Sequence, residues 1–191
     1  FIRWSKNKGY TKGVNQLAKI AAQDFHYQPL LLLNNDCYVS TTAIERMIDC
    51  WAKLYDVTGC YVLGPGWNNV QRWAFGWPEG LTDLESAQQH VSEWGLVKSR
   101  TPHIGFSIAL INREAWYEHG PFPEDMEDGL GTDDLFCKKV MRAGGELCMA
   151  PAMAIHEGRS TFRHLKIPRN TRLAGRKVKE HVTNLDSSTS L

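Results

Sequence analysis

A chain of 191 residues with 42% hydrophobic content is the size of one domain and can bury a core. Its 22 Lys and Arg against 21 Asp and Glu leave no net field of the kind that nucleic-acid binding draws on. The longest aliphatic run, Leu30–Leu33, is too short to span a bilayer, and the five scattered cysteines contain no CxxC pair, which argues against a structural zinc site and a dense disulfide framework.

Residues 11–24 read as a helix, because Val14, Leu17, Ala18, Ala21 and Ala22 recur at helical spacing and Thr11 can cap it. Pro29 breaks the pattern. Leu30–Leu33 then reads as a fully buried strand ending in the polar triplet Asn34-Asn35-Asp36. A capping box from Thr42 to Glu45 opens a second helix, whose apolar face is Ile44, Met47, Ile48, Trp51, Leu54 and Tyr55. Residues 61–63 form a short strand, closed by Gly64-Pro65-Gly66.

Residues 67–102 are polar and rich in Trp and Gly, with a helical pattern only around 84–97. A strand pattern resumes over 104–111, Asn112 caps a short helix, and Gly120-Pro121 ends it. Thr132 or Asp133 caps a further helix that Gly144-Gly145 stops, and 146–149 form a last strand before Pro151. Alternating strands and helices make an α/β domain with a sheet covered on both faces. The domain spans 1–165. Residues 166–191 form a basic extension, with a Ser- and Thr-rich end predicted to be disordered from Thr183.

A strand that delivers Asp36 at its carboxyl end sets the acid in the crevice where open α/β sheets bind ligands. One hard carboxylate with amide neighbours suits Mg²⁺ or Mn²⁺ bridging a diphosphate. The structural alternative for the triplet is a turn and helix-cap cluster.

Further segments, in order, resemble glycosyltransferase family 2. Asn7-Lys-Gly9-Tyr-Thr-Lys12-Gly13-Val-Asn15 is similar to that family's N-x-G-(F/Y)-x-x-G-x-N segment, and Leu33-Asn34-Asn35-Asp36 to its L-N-x-D form of the D-x-D motif. The stretch from Gly105 to Phe122 resembles the acceptor-side strand and short helix. Gly131-Thr132-Asp133-Asp134-Leu135 and Ala154-Ile-His156-Glu-Gly-Arg159-Ser160-Thr161 resemble the acidic motif and the later H-x-G-x-S segment. The match covers roughly residues 7–161.

The resemblance implies a GT-A-like three-layer αβα sandwich with a central mixed sheet. It also implies inverting, metal-dependent transfer of a sugar from a nucleotide-diphosphate donor to an acceptor hydroxyl. Asp36 and His156 would hold Mn²⁺ or Mg²⁺, with a surface or capping histidine as the alternative for His156. Asn7, Gly9, Lys12, Asn15, Asn34, Asn35 and Arg159 would face the donor. Asp134 is the first choice for the base and Asp133 the second; both sit near a helix N-terminus, whose dipole favours the ionised form. Trp67, Trp73 and Trp77 fall in a long irregular stretch, and indole faces stack on sugar rings. With His103 and Gly105 they are candidates for binding a saccharide, lipid-linked or protein acceptor, although packing also accounts for most of these tryptophans and for His103.

Two features depart from the family. Its first strand–helix–strand unit binds the nucleotide base, and nothing before Asn7 can supply one, so that part is missing or supplied elsewhere, for instance by another chain. A start at Phe1 without Met also predicts a processed or partial chain. The acidic motif, usually E-D-x-D-L, here reads Thr132-Asp133-Asp134-Leu135, with Glu127-Asp128 upstream. A non-catalytic carbohydrate-binding or structural domain on a degenerate GT-A fold is the second reading. A glycosidase, which needs two carboxylates flanking one bond, fits the Asn-rich motif poorly. The basic run closes over the diphosphate, lies on an anionic membrane surface, or is simply solvated. Scattered cysteines without a disulfide framework suggest reduced thiols and a cytoplasmic protein, with peripheral membrane association through the basic run as the alternative.

Overall fold

The computed structural model describes residues 2, 4–24, 28–52, 55–63, 83–93, 97–98, 103–126, 129–156 and 171–188. Among them the chain runs α1 (Tyr10–Asp24), β1 (Leu30–Leu33), β2 (Cys37–Val39), α2 (Ala43–Trp51), β3 (Val57–Leu63) and α3 (Leu84–Ser92). It continues with β4 (Val97–Lys98), β5 (Ile108–Ile111), α4 (Arg113–His119), α5 (Thr132–Arg142), β6 (Leu147–His156) and α6 (Thr171–Ser188). The strands make one sheet in the order β1-β5-β3-β6-β2, with β4 also on β6. β3 and β6 are parallel and the other pairs antiparallel, so the sheet is mixed.

Strand side chains alternate between faces, and the alternation sorts the core into two layers. Cys60, Val62, Ile108, Leu110, Cys148 and Ala150 face Ala43, Met47 and Cys50 of α2. Val57, Tyr61, Ala109, Ile111, Met149 and Met153 face the other way, onto α1, α3, α4 and α5. Phe122 anchors that second layer, with Trp116 at 5.0 Å and Phe136 at 6.0 Å between ring centroids. The result is a helix–sheet–helix sandwich.

β6 is longer than the sequence predicts. It runs through Pro151 because the ladder with β3 shifts register there: Ala150 lies opposite Cys60, but Met153 lies opposite Tyr61. Pro lacks an N–H and is tolerated at such a bulge. Buried Gln88 satisfies the backbone groups the shift exposes. Its amide donates to the Pro151 carbonyl at 2.9 Å, and its Oε1 accepts from the Met153 N–H at 2.9 Å and from the Ser40 hydroxyl at 2.6 Å. Orphaning buried backbone groups costs about 1–3 kcal/mol each. Gln88→Leu is therefore expected to destabilise the fold by about 3 kcal/mol, read as a lower urea midpoint at unchanged slope; an unchanged midpoint would contradict this role.

Other local expectations are corrected. Thr11 does not cap α1: the helix begins at Tyr10, and the Thr11 hydroxyl donates to the buried Met126 carbonyl. β1 is not fully buried. It pairs with β5 alone among the described residues, and Leu31 and Leu33 are 37% and 44% exposed. The buried stripe of α2 is Ala43, Met47 and Cys50, while Ile48 is exposed, and Thr42 makes no capping bond. β3 extends back to Val57, and β5 begins only at Ile108.

The pattern over 84–97 resolves into α3 and β4. Neither Thr132 nor Asp133 caps α5. The cap position is Gly131 at φ +83°, where any added Cβ would meet a Val178 methyl at 2.8 Å. The chain from Thr183 to Ser188 is helical, because α6 buries Val178 and packs Val182 against Met126 and Leu135. Asn112 caps α4 as expected, its side chain accepting from the Glu114 N–H at 3.2 Å. All five cysteines are free thiols, and among the described residues no helix is long and apolar enough to cross a membrane.

Candidate functional site

Two groups of polar side chains flank the segment from His103 to Ser107. The first forms where β1 ends. The Asn34 N–H donates to the Ser107 carbonyl at 2.8 Å, and the Cys37 N–H donates back to the Asn34 carbonyl at 3.1 Å. That four-residue turn holds Asp36 between β1 and β2. β2 then pairs with the end of β6, which sets His156 directly opposite Cys37. As a result the His156 Nε2 lies 3.0 Å from the Asp36 carboxylate and 3.4 Å from the Asn34 amide nitrogen. The Cys37 thiol donates to the Ser107 carbonyl at 3.3 Å. Burial, then the Asp36 charge, pushes this thiol up to about 12.

The ligand atoms of Asp36, Cys37 and His156 all lie within 4.8 Å of one another. The sequence marks Asp36 and His156 but misses Cys37. Its signal was adjacency to Asp36 at the head of a strand, masked by four other cysteines that are core residues.

The second group sits on the first turn of α5. The His103 ring nitrogens stand 3.7 Å from one oxygen each of Asp133 and Asp134. Lys138, one turn along, donates to Asp134 at 2.8 Å. The Asp133 carboxylate accepts the Asp134 N–H at 2.9 Å. The carboxyls diverge. The His103 imidazole and then the Lys138 ammonium outweigh burial and hold Asp134 below the ordinary carboxylate value. Burial pushes Asp133 up, against the pull of His103 and backbone N–H groups. For His103, burial lowers the pKa, but the two carboxylates outweigh it and leave it raised.

The raised His103 contributes stability that is fully present below 6.5 and lost as pH rises through its folded value; the depressed Asp134 contributes stability present above 3.8 and lost on acidification. The pair is thus at full strength between those two pH values. Asp134→Asn is expected to lower the His103 pKa, seen as an acid-shifted NMR titration of the imidazole; an unmoved titration would break the pairing.

Tyr10 reaches the segment between the two groups. Its phenol donates weakly to the Phe106 carbonyl at 3.5 Å, and burial followed by the Asp133 charge raises its pKa.

The remaining predicted residues are placed unevenly. The Asn7 side chain accepts the Gly9 N–H at 2.9 Å and shapes the exposed turn into α1, where Gly9 has φ +73°. Lys12 is half-buried on α1, Asn35 is exposed at the turn, and Gly105 is buried between the two groups. Asn15 bonds both backbone groups of Phe122 at 2.9 Å, so its amide holds the core loop. Trp67, Trp73, Trp77, Arg159, Glu127 and Asp128 lie outside the described residues.

No family model and no curated protein matches the chain. Among solved structures it is similar to GalNAc-T7, crystallised with UDP, GalNAc and Mn²⁺, at a TM-score of 0.55 and 17% identity over 82% of this chain. The match spans about a third of that structure, 32% of its length. With a mixed sheet between two helical layers, this likeness makes the fold α/β and GT-A-like. At such identity it shows the fold and not membership of family 2.

Proposed function

We propose that this chain forms the metal- and acceptor-side part of an inverting glycosyltransferase that uses a nucleotide-diphosphate sugar. The observation that carries the reading is the 3.0 Å contact between Asp36 and His156 at the carboxyl end of β1, with Asn34 beside it. A carboxylate oxygen and an imidazole nitrogen fit a divalent ion, and the imidazole favours Mn²⁺ over Mg²⁺. An ion bound there supplies Lewis-acid neutralisation of the diphosphate. Asp36 and His156 would hold it, with Asn34 beside them.

The proton of the acceptor hydroxyl goes to the acidic pair. Asp134 is held below the ordinary carboxylate value by His103 and Lys138 and is the weaker base, whereas burial raises Asp133. On those opposite shifts this reading prefers Asp133 to Asp134, the reverse of the order expected from sequence. A base across the sugar from the leaving group gives inversion. The GalNAc-T7 structure, which holds UDP, GalNAc and Mn²⁺, supports donor and acceptor of the same broad kinds.

Among the described residues β1 pairs with β5 alone, an edge on which a further segment or another chain could complete the sheet. A groove between α1 and β1 is lined by Val14, Leu17, Leu32 and Asn34, the last of them beside the Asp36–His156 pair. The same edge supports the second reading, a carbohydrate-binding domain without turnover. The test is a panel of UDP-, GDP- and dTDP-sugars with Mn²⁺. Release of the nucleoside diphosphate supports the transferase, saccharide binding without release supports the second reading, and no donor binding at all sinks the first.

A further inference from the structure

The register of β2 against β6 places Cys37 directly opposite His156, and directly opposed side chains of an antiparallel pair project from the same face. Asp36 enters the same corner from the preceding turn. An oxygen, a sulfur and a nitrogen donor therefore lie within 4.8 Å of one another. Donors around one tetrahedral ion, at about 2.0–2.3 Å from it, stand roughly 3.5 Å apart. Closing this corner on an ion is within reach of side-chain rotation. Cys50, Cys60, Cys137 and Cys148 are at most 1% exposed and pack in the core, while Cys37 is half-exposed beside the two other donors.

We propose that Cys37 is a third ligand of this site, which makes it select a borderline or thiophilic divalent ion, such as Zn²⁺ or Co²⁺, over Mg²⁺. The proposal rests on the metal reading of Asp36 and His156 above and narrows the class of ion. Thiolate sulfur favours softer ions, whereas Mg²⁺ demands near-octahedral oxygen. Binding forms a metal–sulfur bond and releases the thiol proton to solvent, since a coordinated thiol deprotonates outright. The Ser107 carbonyl that loses this proton still accepts the Asn34 N–H at 2.8 Å. Three protein ligands leave a position open for a diphosphate oxygen.

Titration of the full chain with Co²⁺ tests this without any activity assay. The wild type is expected to show a near-ultraviolet thiolate-to-cobalt charge-transfer band, absent in Cys37→Ser. Zn²⁺ affinity of that variant, read by competition, should fall about 100-fold, because even outer-shell partners cost roughly 10–100-fold. Co²⁺ bound without the band, or Zn²⁺ held equally tightly by Cys37→Ser, overturns the proposal and leaves the Asp36–His156 site standing. Failure of the wild type to bind Co²⁺, Zn²⁺ and Mn²⁺ overturns the metal reading and the proposal with it. Should the variant fold poorly, the wild-type spectrum decides alone, since the other four thiols are enclosed in the core.

Discussion

Asp36→Ala is expected to abolish metal-dependent donor binding, so that calorimetry with Mn²⁺ and a nucleotide sugar shows no heat above dilution. On the proposed reading Asp36 is the carboxylate ligand in a corner whose other described donors are an imidazole, a thiol and an amide. Without it, the ion must bind to neutral or reluctantly ionised groups while carrying a diphosphate of opposite charge. Removing a ligand costs more than removing the outer-shell partners that already account for roughly 10–100-fold, so affinity falls below the working concentration of metal. The fold should survive, because Asp36 lies in a half-buried turn closed by backbone bonds of Asn34 and Cys37. An unchanged near-ultraviolet dichroism spectrum would confirm that. His156→Ala should lose binding too, with some loss of stability, since His156 is only 9% exposed and ends the longest strand. Donor affinity unchanged in Asp36→Ala would remove the metal from this corner.

What the sequence makes legible, and what it does not, follows from the range of the interactions involved. The leucine run and the polar triplet after it are local signals, and they place Asp36 at a strand end. The acid pair next to Leu135 is equally local, and its helix forms as expected. The meeting of His156 with Asp36 is not local. It depends on the antiparallel register of β2 and β6 and on a bulge at Pro151 that determines where β6 delivers its last residues. Pro151 reads as a stop signal in sequence, and only Gln88, more than sixty positions upstream, lets the strand continue through it.

The face of α2 is only partly legible for a related reason: Met47 is buried and Trp51 packs on the same layer as expected, but Ile48 is exposed. Ile44 and Ile48 outrank Ala43 and Cys50 in hydrophobicity, but the close approach of α2 to β3 and β6 selects the small residues. Asn15 matches a donor-side motif by spacing, yet it bonds the backbone of Phe122, a contact spanning 107 positions. Spacing identified the residue; tertiary structure gave it different work.

Asp133→Asn is expected to stop transfer while donor affinity stays unchanged, with a fall in kcat of about 10²–10⁴-fold, the usual contribution of a positioned general base. The argument turns on how the two acids differ. Asp134 accepts from Lys138 at 2.8 Å and faces His103, so its ionised form is stabilised and its hold on a proton is weak. Asp133 is raised by burial, so it is better matched to taking a proton. The pH profile separates the roles. A base must be ionised, so wild-type kcat/KM should fall on acidification through a pKa above the ordinary 3.8, following the raised Asp133. Asp134→Asn removes one of the two carboxylates facing His103, and its effect should be a smaller loss with the acidic limb of the profile still present. If Asp134→Asn instead abolishes turnover and Asp133→Asn keeps it, the base is Asp134, and the fixed charges around it serve to orient a carboxylate that needs no raised pKa to act.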